Sequence, residues 1–403
     1  MPISALAMPA RLYRLPESAF AVQDARRDGG PVTVRTGPLR YATAARFAPP
    51  VRARTEKSSG QICPQPRSRL EAVMGPPLDP RPQGEDCLNL SISTPALDNG
   101  RRPVLVWLHG GGFSSGAGLL DWYDGSALSA EGDVVVVSVN YRLGALGFLV
   151  AQDVSDGNLG LLDQAEALRW VRDNIARFGG DPGQVTVFGQ SAGALSALLL
   201  LDHPERLFRR AVLQSLPHGV EPLAHNEAAG TGTAFSALLR GLVHSRSPAD
   251  LLAAQAHVAG RYRGVSMPFR PVVTPWEPQD LTGVEIVHGW NADEMTAFGG
   301  DRTGGVFADP DFARRVEERG ARVFTYYNAW RPAGSAYGAT HCVELPLLLG
   351  SARAWAGSPM LGQTPWEHVK QFGRALRSSW ISFARNGIPG PTHGLPITWR
   401  GVP

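Results

Sequence analysis

Gln184-Val185-Thr186-Val187-Phe188 runs straight into Gly189-Gln190-Ser191-Ala192-Gly193, and Ala194-Leu195-Ser196-Ala197-Leu198-Leu199-Leu200 leads out. The first run is apolar and β-branched, as in a strand, and the last reads as a buried helix. Between them the pentapeptide fits G-x-S-x-G, a sharp strand-to-helix turn that lifts a serine Oγ above a sheet edge. Glycines on both sides allow the close backbone approach such a turn needs. The helix start beneath Ser191 offers free N–H groups and a positive dipole end to a developing oxyanion. Small-residue quintets arise by chance in a chain with 46 glycines among 403 residues, so the weight rests on the flanks. The bland alternative is a tight turn with an incidental serine.

The rest of the chain supplies matching strands. Val104-Leu105-Val106-Trp107-Leu108 and Val134-Val135-Val136-Val137-Ser138-Val139 are continuous apolar runs, as expected of strands buried on both faces. Arg210 to Gln214, Val284 to Val287 and Val323 to Tyr327 read as three more. Leu161, Ala165, Leu168, Val171, Ile175 and Phe178 recur at helical spacing before Gly179-Gly180-Asp181-Pro182 stops the helix. A second amphipathic helix runs from about Trp366 to Ala384. Strands alternating with helices predict an α/β fold, a mostly parallel twisted sheet with helices on both faces. We read residues 1–403 as one domain. Within it, residues 1–60 are an atypical Pro-, Arg- and Ala-rich segment, and 216–283 a helical excursion over the sheet.

Composition removes several function classes. A net charge of +3 with interspersed signs gives no case for a nucleic-acid partner, and the arginines from Arg26-Arg27 through Arg54 read as a solvated face. No apolar run reaches membrane-spanning length. Met1 to Ala10 lacks a basic stretch ahead of its apolar residues, so a cytoplasmic location is expected. Cys63, Cys87 and Cys342 have neither zinc-site spacing nor the number for a disulfide scaffold.

A serine nucleophile needs a base, and the base needs an orienting acid. In the strand–turn–helix arrangement both follow the serine. Of ten histidines, His341, His368 and His393 come late enough. His368 falls inside the terminal helix and His393 in a Pro/Gly-rich tail, whereas His341 follows the small loop Gly338-Ala339-Thr340. For the acid, Asp293 and Glu294 both lie just beyond the Val284 strand, where sheet ligands gather, and spacing does not separate them. His109-Gly110-Gly111-Gly112-Phe113 ends the Val104 strand with a glycine turn able to aim N–H groups at the space above Ser191. A phosphate loop fits it poorly, since neither G-K-[ST] nor G-x-G-x-x-G is present.

Taken together, these residues resemble the type-B carboxylesterase (cholinesterase-like) family of α/β-hydrolases. Further matching stretches are Cys63-Pro64-Gln65, Glu85 to Leu90, Asn140 to Gly144, Gly157 to Gln164, Asn174 to Gly193, Leu213-Gln214-Ser215, Asn291 to Glu294 and Gly338 to His341. The likeness is dense from about 60 to 215 and occurs in islands after that. It implies a triad of Ser191, Glu294 and His341, with an oxyanion hole from the N–H groups of Gly111, Gly112 and Ala192. It implies hydrolysis of small to medium carboxylic esters through an acyl-enzyme, with no metal or organic cofactor. Cys63 and Cys87 match a family disulfide, which a reducing compartment would leave as thiols. The resemblance also implies a buried Glu85–Arg142 ion pair, and Ser215 as support for the acid.

The chain departs from the family in ways that shape expectation. The family's N-terminal Gly-Ile-Pro-Tyr-Ala stretch is not evident. The segments from Ser215 to Val284 and from Glu294 to His341 look short, which predicts reduced gorge walls and a more open site, as in a shortened bacterial-type member. Gln190 replaces the glutamate that cholinesterases carry before the serine, and no tryptophan lies between Cys63 and Cys87, so choline esters are a poor fit. Cys342 stands where glycine is usual, which predicts inhibition by a bulky thiol reagent. Two rivals remain: a catalytically impaired binding protein on the same fold, and an acyltransferase or carbamate hydrolase with the same triad.

Overall fold

The computed structural model describes residues 33–262, 267–272 and 280–401. Met1 to Ala10 and Arg26-Arg27 lie outside them. In chain order the strands are β1 (Val34–Arg35), β2 (Leu39–Thr43), β3 (Val51–Lys57), β4 (Asn89–Thr94), β5 (Arg102–Leu108) and β6 (Val135–Val139). Then come β7 (Val150–Ala151), β8 (Ser155–Asp156), β9 (Gly180–Gln190), β10 (Arg210–Gln214), β11 (Glu285–Asn291), β12 (Arg322–Asn328) and β13 (Ile397–Arg400). Among the described residues one sheet takes the order β13-β12-β11-β10-β9-β5-β6-β4-β2-β3, with β1 beside β4, while β7 and β8 pair separately.

The centre of the sheet is parallel, from β6 through β5, β9, β10 and β11 to β12. These are the continuous apolar runs, and their side chains divide between two cores. Val104, Val106 and Leu108 of β5 face one core, while Leu105 and Trp107 face the other. The first core is closed by the helices Leu159–Asn174 and Ala192–Leu200, through Leu161, Ala165, Leu168, Ala194 and Ala197. The second is closed by Trp366–Asn386, through Val369, Leu376, Trp380 and Phe383. Covering both faces is what makes a valine-rich strand such as β6 stable, because each fully buried apolar side chain contributes about 1.5–3 kcal/mol.

Antiparallel strands flank this centre: β4, β2 and β3 on one side, β13 on the other. Residues 33–57 thus belong to the sheet. Four of their five arginines are paired, Arg35 with Asp124, Arg40 with Glu56 and Asp86, Arg46 with Glu85, and Arg52 with Glu166 and Asp173, while Arg54 is exposed, as the solvated-face reading expects. The region after Ser215 carries the helices His225–Leu238 and Pro248–Ala259, the second opened by a Ser247–Asp250 capping box.

One expected pairing is different. Glu85 is held by Arg46, whose Nε donates to its two carboxylate oxygens at 2.9 and 3.1 Å. Arg142 instead grips Asp163 of the Leu159–Asn174 helix, with Nε–Oδ2 at 2.8 Å and Nη2–Oδ1 at 2.7 Å. Asp163 is completely buried where β6 leaves the sheet, so it takes the bidentate guanidinium, and Glu85 is left to the more exposed Arg46. Cys63 and Cys87 are buried free thiols, and Cys63 Sγ accepts the N–H of Leu143.

Candidate active site

The site forms along the carboxyl edge of the parallel strands, where β5, β9, β11 and β12 all end. Ser191 follows β9 at once and caps the helix Ala192–Leu200 with φ 57° and ψ −122°. For a side chain other than glycine this conformation costs about 1–3 kcal/mol, and surrounding structure has to hold it. The N–H of Ser191 donates to Gln214 O of the neighbouring strand at 2.9 Å. The flanking glycines are demanded by space. A Cβ on Gly193 would lie 2.0 Å from Leu108 O, and one on Gly189 would lie 2.5 Å from Gly193 C. The helix therefore starts tight against the sheet, and Ser191 is pushed out at its tip.

His341 and Glu294 are both fully buried, and Nδ1 of the histidine lies 2.5 Å from Oε2 of the glutamate. A carboxylate only accepts, so Nδ1 carries the proton and Nε2 presents its lone pair. Glu294 also accepts from Ser215 Oγ at 2.6 Å and from the N–H of Asn291 at 2.7 Å. Three donors therefore hold one carboxylate. The imidazole is walled by Phe307 and Phe298, with ring centroids 4.4 and 5.2 Å away. Those two phenylalanines, Ser191, Ala192, Gly111 and Gly112 line one cleft.

The alternatives left open by spacing separate here. Asp293 points away from the imidazole, taking Arg331 Nε at 2.8 Å and Arg331 Nη2 at 3.0 Å. It also accepts the N–H of Ala339, so it fixes the loop that delivers His341. Burial acts to raise its pKa, but the Arg331 contacts and the Ala339 N–H outweigh that, and the net shift is downward. His368 and His393 are exposed. His109 is buried, stacked on Tyr141 at 4.3 Å, with burial lowering its pKa to about 4. It shapes the glycine turn. Gly111 and Gly112 adopt φ 107° and 62°, open to glycine alone without strain. The N–H of Ala192 sits in the first helical turn, where no intrahelical acceptor exists for it.

A model of the carboxylesterase family matches residues 33–272, a span that includes Gly111, Gly112, Ser191 and Ala192. The chain belongs to the carboxylesterase family. The esterase is 39% identical to a probable N-octanoylanthranilate hydrolase of Rhodococcus erythropolis, over 89% of this chain and 90% of that one. It is 33% identical to the phenmedipham hydrolase of Pseudarthrobacter oxydans, over 90% and 86% of the two chains. Against the para-nitrobenzyl esterase of Bacillus subtilis it is also 33% identical, over 82% and 79%. A solved PNB esterase superposes with a TM-score of 0.78 at 28% identity, covering 94% of this chain and 93% of that one. The fold is therefore that of an α/β-hydrolase, and the chain is an ester-hydrolysing enzyme of the type-B class.

Two further buried residues, Glu344 and Cys342, lie close behind His341 in the chain. The buried Glu344 accepts from Asn291 Nδ2 at 2.7 Å and from Gln214 Nε2 at 3.3 Å, and so is tied through Asn291 to Glu294. Burial first, and then the Glu294 charge, push its pKa up to about 7. Its place three residues after His341 was the available clue. Cys342, adjacent to the histidine, is wholly buried, and burial raises its thiol pKa well above the usual value. That environment opposes the expected attack by thiol reagents, which need an accessible thiolate. Among the described residues no cluster suits a metal ion, and no helix is long and apolar enough to cross a membrane.

Proposed function

We propose that the esterase hydrolyses small to medium carboxylic esters with Ser191, His341 and Glu294 as its triad. The observation that carries this reading is the 2.5 Å contact of Glu294 with His341 Nδ1, which leaves Nε2 unprotonated beside the strained serine turn. Ser191 Oγ attacks the ester carbonyl as Nε2 takes its proton, and Glu294 steadies the imidazolium that forms. The tetrahedral oxyanion is met by the N–H groups of Gly111, Gly112 and Ala192, each such donor stabilising it by roughly 3–4 kcal/mol in comparable sites. His341 then protonates the departing alcohol, which leaves an acyl-serine. Water activated by the same nitrogen cleaves the acyl-serine. No step needs a metal or an organic cofactor.

Relatives named for an N-octanoylanthranilate and for phenmedipham favour a second reading, in which the same triad opens amide or carbamate bonds. Hydrolysis of p-nitrophenyl butyrate by the wild type and Ser191→Ala, with intact-mass detection of an organophosphate adduct, tests the nucleophile. Turnover should fall on the order of 10⁴–10⁶-fold in the variant, and only the wild type should take the adduct. Equal turnover by both proteins would overturn the triad. A folded protein with neither turnover nor adduct would return the chain to the binding-protein reading.

A further inference from the structure

Behind the wall of the cleft lies a cluster that the triad chemistry does not use: His218, His288, Asp309 and Arg315. Nε2 of His218 and Nε2 of His288 are 2.9 Å apart. Nδ1 of His218 lies 3.4 Å from Asp309 Oδ2, and Arg315 Nη2 donates to that same oxygen at 2.5 Å. Asp309 Oδ1 accepts the N–H of Asp311 at 3.0 Å. The Phe312 ring packs on both imidazoles, with centroids 5.1 and 4.4 Å away. His288 is fully buried, and its Nδ1 meets no hydrogen-bond partner among the described residues.

These contacts fix where the protons sit. A lone pair on His218 Nδ1 would face a carboxylate, so Nδ1 carries the proton and Nε2 accepts. His288 then donates from Nε2, which leaves its buried Nδ1 bare. Burial lowers the two pKa values to about 4 for His218 and about 3 for His288, so both rings are neutral at pH 7. Arg315 first, with burial opposing it, holds the Asp309 carboxyl below the usual range. The result is a one-way chain of donors from His288 through His218 to Asp309, closed by Arg315.

That chain joins two pieces of the cleft wall to the sheet. His218 stands in the turn after β10, whose Pro217 and Val220 line the cleft, and His288 belongs to β11. Asp309 follows two residues after Phe307, which lines the same cleft and covers the His341 ring. The two pieces also touch directly. The N–H of Gly219 donates to Val306 O at 3.2 Å, and a Cβ on Gly219 would lie 2.8 Å from Val306 Cγ1. Moving Asp309 outward would strand polar atoms of two buried or half-buried imidazoles, which is costly, so the Phe307 segment has one favoured position. Nε2 of His341 faces Gln190, which lines a neighbouring cavity together with Gly110 and Cys342. The leaving oxygen has to reach Nε2, so the leaving group departs on the Gln190 side and the acyl chain stays beside Phe307.

Resting on the reading of this cleft as the ester site, we propose that His218, His288 and Asp309 are positioning residues that hold Phe307 against the cleft and so limit the acyl chain the esterase accepts. p-Nitrophenyl acetate and octanoate share a leaving group and differ only in that chain. Their octanoate-to-acetate ratio of kcat/KM should rise at least about tenfold in Phe307→Ala, which removes the wall itself. It should rise at least about threefold in His218→Leu and in Asp309→Asn, mainly through KM for the octanoate. His288→Gln keeps an N–H donor near the place of Nε2 and should stay close to wild type. His218→Leu added to Phe307→Ala should raise the ratio no further, since effects that pass through one side chain do not add.

A ratio unchanged in Phe307→Ala would mean that this ring does not bound the acyl chain, and would overturn the proposal. So would a ratio that moves in Phe307→Ala alone, since the ring would then keep its place without the chain of donors. An additive double variant, or His288→Gln shifting as far as His218→Leu, would make the cluster a general stabiliser of the fold and overturn it as well. Asp309 is partly exposed, so Asp309→Asn decides if His218→Leu does not fold. If no ester turns over, the triad reading fails separately. Calorimetric binding of butyrate and octanoate to wild type and Asp309→Asn then decides, with equal octanoate-to-butyrate affinity ratios refuting the positioning role.

Discussion

The side-chain amide nitrogen of Gln190 lies 2.9 Å from Nε2 of His341. With Nδ1 donating to Glu294, Nε2 can only accept, so Gln190 donates its N–H to the lone pair that must receive the serine proton. In this resting geometry the base is capped by an amide, and catalysis has to exchange that contact for Ser191 Oγ. Hydrogen bonds at such sites commonly realign when substrate binds.

A change at Gln190 therefore acts on the base directly. A carboxylate introduced there would set a negative charge against the base and favour an imidazolium. In Gln190→Glu the acid limb of the kcat/KM–pH profile should move to higher pH by about one unit. At fixed acidic pH the variant should be slower, and the two enzymes should converge at alkaline pH. Superimposable profiles would show that Gln190 leaves Nε2 before the rate-limiting step.

Ser215 offers a second measurement on the same machinery. Its Oγ–H is one of three donors to Glu294. Removing a hydrogen bond to a charged acceptor costs about 1.5–3 kcal/mol, roughly a ten- to hundredfold loss. Ser215→Ala should lower kcat by that factor while KM changes little, because the serine touches the acid and not the cleft. An unchanged kcat would mean the Asn291 N–H holds the carboxylate unaided.

How much of this could be read from the chain follows burial. The six parallel strands announced themselves because strands covered on both faces are largely apolar runs, Val135 to Val139 with four valines being the extreme case. Edge strands did not. Val51-Arg52-Ala53-Arg54-Thr55-Glu56-Lys57 is a strand whose side chains are mostly exposed and charged, so its pattern resembles a polar loop. The serine turn and the glycine turn were legible because backbone geometry restricts those positions to particular residues. Spacing did not separate Asp293 from Glu294, since adjacent residues share a loop. The family resemblance pointed to Glu294, and in the structure the side chains diverge, one to Arg331 and the other to His341.

Cys342 tests how accessible the base loop is. Its side chain is buried and its thiol kept protonated. Native protein should resist a maleimide for hours at pH 7, whereas the urea-unfolded chain should label all three cysteines promptly. Activity should persist after the native incubation. Rapid stoichiometric labelling of Cys342 with loss of activity would mean the His341 loop opens readily.

Glu344 makes the strongest claim on pH. Its carboxyl sits at about 7 in the folded chain against an ordinary value of 4.5, burial and the neighbouring Glu294 being the causes. The folded state therefore binds more protons than the unfolded state between those values. Its contribution is fully present below about pH 4.5, and is lost as pH rises through 7, by up to about 3 kcal/mol. Glu344→Gln removes the titration while keeping an oxygen for Asn291 Nδ2. The new amide N–H₂ meets Gln214, whose buried Oε1 has no other partner among the described residues. Urea unfolding of both proteins at pH 5, 6, 7 and 8 reads the difference directly, since the other titrating groups largely cancel. The variant should gain on the wild type from pH 5 to 7 and level off towards pH 8. A difference that stays flat would mean Glu344 ionises as an ordinary carboxylate, with its charge already balanced inside the site.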